Sequence, residues 1–243
     1  MKKFTLSSSL MRSIMIIAML CMVVAQDLTA SGACCTVSLS GSNKPAVTFV
    51  ASSGWSHERI AGARYDLRQH AVIGKGHLPL TDRLFLTAQA GVPLRTELTS
   101  ACPMFTGSLG FLYGIGVGSV VPNLLPSLNL YGSLNYARSV GNLDQTDCFV
   151  PTEASFVITE VQAILLGEYE VTPRASLYGG VRFYSGRNKI DNEVKNLTLS
   201  GEREGNVSPL LGIRYSLWES VSVIGEGSLG HTRIMSLALS IRV

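Results

Sequence analysis

The end of the chain sorts its residues two by two. Met235, Leu237, Leu239, Ile241 and Val243 fall on one side, and Ser236, Ala238, Ser240 and Arg242 on the other. That is the period of a strand with one apolar face. Val207 to Leu217 repeats it, with Val207, Pro209, Leu211, Ile213, Tyr215 and Leu217 alternating against Ser208, Leu210, Gly212, Arg214 and Ser216. Val221 to Leu229 alternates more weakly and carries Glu226 in the polar phase. A face this apolar needs a cover, which a second sheet or a lipid bilayer can provide.

The N-terminus favours export. Lys2, Lys3 and Arg12 form a basic start, Ser13 to Val24 an apolar core, and Val23-Val24-Ala25 a small-residue cleavage site, so residues 1–25 read as a signal peptide. The core is shorter than the roughly 20 residues that a membrane-spanning helix needs. No later stretch is long and apolar enough for such a helix, so a membrane protein of this sequence has to cross with strands. The leader removes three basic residues from a chain with 20 Lys and Arg against 17 Asp and Glu. What remains is formally neutral and gives no case for a nucleic-acid partner.

Residues 26–44 are small and polar without sustained periodicity and read as a periplasmic N-terminal arm, leaving 45–243 for a barrel. Within it, alternation predicts strands near 46–53, 61–78, 83–94, 105–118, 128–137, 154–170 and 174–186, followed by the three at the end. The 154–170 segment is ambiguous, because Ile158, Ile164 and Leu166 share a phase with Glu160, Gln162 and Glu168. Turns near Leu80, Leu124, Pro173 and Glu219 are short, whereas loops near Thr99, Asp147 and Asn196 are long. Short turns alternating with long loops are the habit of transmembrane barrels. The predicted fold is all-β, an antiparallel up-and-down transmembrane β-barrel of about ten strands, within a range of about 8 to 12.

Leader, meander, alternation and the amphipathic strand ending at Val243 together resemble the small bacterial outer-membrane barrels of the OmpA-like and opacity-type superfamily. The resemblance implies a bacterial outer-membrane location, contact with outer-membrane lipid, and assembly by the barrel-assembly machinery. It also implies an aromatic final residue, where this chain has Val243.

A lipid-facing Arg near the midplane costs about 2–4 kcal/mol, so the charged phases should face the lumen. This assigns a lumen charge network to Arg64, Asp66, Arg68, Glu160, Glu168, Arg182, Arg214, Glu226 and Arg242, with His70 and Gln89 in the same phase and His77 in a turn. Pairs of opposite sign would plug the interior; a narrow polar conduit is the other reading. Gly110, Gly114, Gly116 and Gly118 leave room on one wall for facing residues such as Tyr131.

Cys102 and Cys148 fall in successive outer loops, where a disulfide would close about 47 residues and contribute up to about 4 kcal/mol. Cys34 and Cys35 are adjacent; free thiols, a partner's thiol or lipidation of Cys34 remain open for them. Gly225-Glu226-Gly227-Ser228-Leu229-Gly230 spells a dinucleotide fingerprint, but no helix follows to receive a phosphate. His57 with Glu58, and His231 with Thr232, lie in predicted outer loops of the first and last strands, where a rim site could form. No catalytic residue, cofactor or metal site is assigned. The functional expectation is a structural, surface-interaction or narrow porin-like barrel that could meet a surface ligand through its loops. The alternatives are an outer-membrane hydrolase acting on lipid or peptide at the rim, and a secreted soluble β-sandwich.

Overall fold

The computed structural model describes residues 44–99, 104–108, 110–146, 151–192, 197–203, 207–230 and 232–243. The expected signal peptide, nearly all of the arm, Cys34, Cys35, Cys102, Cys148 and His231 lie outside them. The described residues form twelve antiparallel strands: β1 (Ala46–Ile60), β2 (Ala63–Pro79), β3 (Leu84–Thr99), β4 (Met104–Ser108), β5 (Gly110–Leu125), β6 (Leu128–Thr146), β7 (Pro151–Thr172), β8 (Ala175–Asn192), β9 (Leu197–Arg203), β10 (Val207–Trp218), β11 (Val221–Ser228) and β12 (Thr232–Arg242). β1 pairs with β12 from Ala46 to Ser56, which closes the sheet on itself.

Two of the twelve strands continue two others. β4 and β5 both lie between β3 and β6, and β9 and β10 both pair with β8. The wall therefore has ten staves at the end where Ala46 and Arg242 pair, the inner end. It has fewer at the outer end, because the β11–β12 hairpin stops short. Above its tip Glu58, Arg59 and Ile60 of β1 pair directly with Arg203, Glu202 and Gly201 of β9. The barrel closes through ten staves below and eight above.

Local chemistry fixes the turns. The inner-end turns after β2 and β7 use one device: Thr81 Oγ1 accepts from the Arg83 and Leu84 amides, and Thr172 Oγ1 from those of Arg174 and Ala175. At the outer end, β1 and β2 are joined by Ala61 and Gly62 alone, both at positive φ (49° and 84°), the conformation that a two-residue hairpin requires.

The strands are longer than a membrane needs. β6 has 19 residues and β7 has 22, against about 9–11 for a transmembrane strand. In the lower part the outward phases carry exposed apolar residues, among them Phe49, Leu86, Ile115, Leu134, Leu165 and Ile213. Higher up the polarity reverses. Ile60, Tyr65, Leu67, Leu98, Phe105, Leu143 and Phe156 pack together inside, while Arg59, Arg64, Arg68, Arg187 and Lys189 stand outside.

This reversal corrects three lumen assignments. Arg64, Asp66 and Arg68 point out, because the buried phase of β2 is Tyr65, Leu67, Gln69, Ala71 and Ile73. The penalty for an outward charge applies only at hydrocarbon depth, and these residues lie above it, where water takes them and the barrel interior takes the apolar phase. His70 belongs to the same outward phase, and His77 is buried against the Phe85 ring at 4.5 Å instead of lying in a turn. In β3 the phase itself changes: its pairing with β2 slips where His70 faces Arg95 and Ala71 faces Pro93, so Leu94 is an extra residue. Below this bulge Phe85, Thr87 and Gln89 are buried; above it, Thr96 and Leu98 are.

The glycine-rich face of β5 makes room for neighbours other than Tyr131. Gly114, Gly116 and Gly118 lie directly opposite Gln89, Thr87 and Phe85 of β3. A Cβ on each would collide with the side chain of that partner and, on Gly116, with Asn135 of β6 as well.

Candidate functional site

The inward phase of β7 shows how the lumen is filled. From the outer end it runs Ala154, Phe156, Ile158, then Glu160 and Gln162, then Ile164 and Leu166, then Glu168. Along this strand two charged levels alternate with two apolar ones.

The upper charged level is held by Arg203. Its guanidinium donates to Glu58 Oε1 at 2.8 Å and to Glu160 Oε2 at 2.9 Å, with all three side chains buried. Glu58 accepts two more hydrogen bonds, from Ser56 Oγ at 2.7 Å and Asn188 Nδ2 at 2.6 Å. Gln162 donates to Glu160, and Arg203 lies 5.6 Å from the centre of the Tyr184 ring, whose hydroxyl accepts from Thr232 at 2.6 Å. Nearby, Arg182 donates to Glu226 at 2.8 Å, and Tyr178 donates to the same carboxylate at 3.2 Å.

Beneath lies the second apolar cluster, where Val50, Ile73, Leu112, Ile164, Leu166, Leu210 and Ile224 come together. The basal level closes the inner end. There Glu168 receives Arg214 at 2.7 Å and the Tyr131 hydroxyl at 2.8 Å, and Arg242 lies within electrostatic reach of both Glu168 and Arg214.

The structure thus brings Glu160, Glu168, Arg182, Arg214, Glu226 and Arg242 into the lumen. The network has two further members, Glu58 and Arg203, each in a segment whose polar sequence predicts a loop. Glu58 is the inward neighbour of Ser56 and Ile60, and Arg203 ends a strand inside the region 187–205. The alternation of Ser56, Glu58 and Ile60 was the available signal for the first. Arrays like these neutralise charge in place. No group of three or more side chains suited to a metal ion occurs among the described residues.

The rim pair expected at His57 and Glu58 is divided by the wall. Glu58 points inward, while His57 points outward, with Nδ1 2.6 Å from Asp66 Oδ1 and its ring edge-on to Trp55 at 4.0 Å. Arg233 covers the Trp55 ring at 5.1 Å. Lower on the same outward face, Ser53 Oγ lies 3.1 Å from His70 Nδ1.

The chain matches no protein-family model and no curated protein. Its likeness is to solved structures. Over 98% of this chain and 98% of the other, it aligns at TM-score 0.51 and 12% identity with the translocator domain of the autotransporter NalP from Neisseria meningitidis. Over 86% of this chain and 99% of the other, it aligns at TM-score 0.56 and 12% identity with the outer membrane protease OmpT from Escherichia coli. The fold is that of an outer-membrane β-barrel. In this barrel the apolar outward band of the lower staves is the surface that lipid covers, and the polar outer staves stand clear of it. At 12% identity the likeness reaches no further than the architecture.

Proposed function

We propose that the chain is a sealed barrel of the bacterial outer membrane that works through its outer surface and not through its lumen, as a structural and surface-interaction protein. One observation carries the reading: the projecting half is filled inside, by the apolar Leu67, Leu98, Phe105 and Phe156 beside the neutralised array of Glu58, Arg203 and Glu160, and is charged outside. That is the construction of a rigid stalk. A channel would need polar groups that face open water and not one another. Purified barrel in planar bilayers should stay electrically silent while its heat-dependent gel mobility confirms that it is folded. Discrete, reproducible conductance from the same preparation would replace this reading with a narrow-pore one.

A hydrolase acting on lipid is the second reading, and Ser53 with His70 supports it more than His57 and Glu58, which the wall divides. A hydroxyl 3.1 Å from an imidazole, in the outward phase of β1 and β2, is a nucleophile beside a base, and because Ser53 is buried a lipid substrate must displace the side chains that cover it. Incubation with phospholipid or lipid-A esters tests it: fatty acid release that disappears in Ser53→Ala would favour the enzyme, and no release from folded wild type would end it.

A further inference from the structure

An outward row of polar side chains, charged on every strand but β7, crosses five strand boundaries. Arg138 of β6 pairs with Thr159 of β7, Thr159 with Arg187 of β8, Arg187 with Glu202 of β9, and Glu202 with Arg59 of β1. Arg59 in turn pairs with Arg64 of β2. Side chains directly opposite on one face of a sheet stand close together, so these residues form one surface, and Arg59, Arg138, Arg187 and Glu202 line a single groove together with Val157 and Thr159. Three arginines face one carboxylate. Lys189 also borders the groove but is held by Asp191 at 2.7 Å.

The height of this groove identifies what it meets. Arg138 is the outward residue next above Tyr136, which with Leu134 belongs to the exposed apolar band. On β8 only Ser185 separates Arg187 from Phe183, and on β1 only His57 separates Arg59 from Trp55. The row thus begins at the upper edge of the lipid-facing band and climbs obliquely away from it, as tilted strands require. Phosphates of the outer leaflet occupy that depth. A second feature lies lower, on β10, β11 and β12, which fill the wall between β8 and β1 there. Outward-facing Gly225 and Gly227 carry no side chains, leaving an apolar depression bordered by Leu177, Leu211, Leu229 and Met235. Arg138 adds a third indication, since its Nε is buried with no hydrogen-bond partner.

We propose that this face binds a phosphate-bearing glycolipid of the outer leaflet, with Arg138, Arg187 and Arg59 on its phosphates and an acyl chain against the depression beneath. Guanidinium suits this role because it presents several donors to a phosphate at once. The inference rests on the bilayer placement above, not on whether the lumen conducts.

The test uses the whole barrel folded in zwitterionic detergent, titrated with diphosphorylated lipid A and with the same lipid after enzymatic removal of its phosphates. The expected result is about tenfold or more tighter binding of the phosphorylated form, with the preference lost in the Arg59→Gln, Arg138→Gln, Arg187→Gln triple variant and kept in Arg83→Gln, which changes a charge at the inner end. Equal binding of the two lipids by wild type overturns the proposal and needs no variant to fold. So does a folded triple variant that keeps the preference. Heparin competing for wild type as strongly as lipid A would assign the groove to soluble polyanions and overturn it too. A barrel without a heat-dependent gel shift would fail the fold reading first, which separates that failure from this one.

Discussion

Arg203 and Glu58 are direct cross-strand partners, and their side chains meet at 2.8 Å where the barrel narrows, with 2% and 0% of the side chain exposed. The pair sits where β9 passes over the tip of the β11–β12 hairpin to reach β1. It is therefore both a charge pair and a joint.

Removing the cation alone should be costly. Arg203→Ala leaves Glu58 and Glu160 buried without their counter-charge, and loss of one member of such a group destabilises by about 3–5 kcal/mol. Arg203→Met combined with Glu58→Gln and Glu160→Gln should recover most of that loss. Urea titration of the barrel in detergent micelles, followed by gel mobility, reads both. Equal stability of Arg203→Ala and wild type would mean that the pair holds nothing.

The β5 glycines predict a graded series. Gly118→Ala places a methyl group against the Phe85 ring, and overpacking of this kind costs about 1–3 kcal/mol. Phe85→Leu with Gly118→Ala should restore part of it, because the two positions face each other. Gly132→Ala serves as the control, since the nearest atom to its added Cβ is Ser119 Oγ at 3.8 Å. A larger loss at Gly132 than at Gly118 would refute the packing account.

At the outer end, hydrogen bonds from Lys189 and Thr198 hold the Asp191 carboxyl below the usual Asp range. A lowered folded-state pKa means that the contribution to stability is present above the unfolded value and is lost as pH falls through the lowered one. Carbon-detected NMR of Asp191 should show a midpoint below 3.8, moving up in Lys189→Ala. A midpoint that does not respond to that substitution would remove Lys189 as the cause.

Much of the lower barrel was legible in sequence because lipid enforces alternation. Leu177, Val181 and Phe183 lie outside and Arg182 inside, as their period requires. Where water replaces lipid, the rule that charges turn inward loses its force, and Arg64, Asp66 and Arg68 were misread for that reason. The same change of solvent made the outer staves look like loops: β9 and the outer ends of β3, β6 and β8 are polar on their exposed face, so composition resembled connection. β7 was ambiguous for a third reason. Its inward phase alternates between apolar and charged levels, and no single-period reading separates Glu160 from Ile164 when both face the interior.

The two-height closure also acts as a check on register. β1 is matched to β12 below and to β9 above, so the first strand has two partners that must agree. A slip of β1 by one residue would turn Glu58 out of the barrel along with every other inward side chain of the strand. Arg203 would then face an empty place. An incorrectly zipped seam in the membrane is thereby reported by an unpaired charge above it, and the last hairpin can settle in only one alignment.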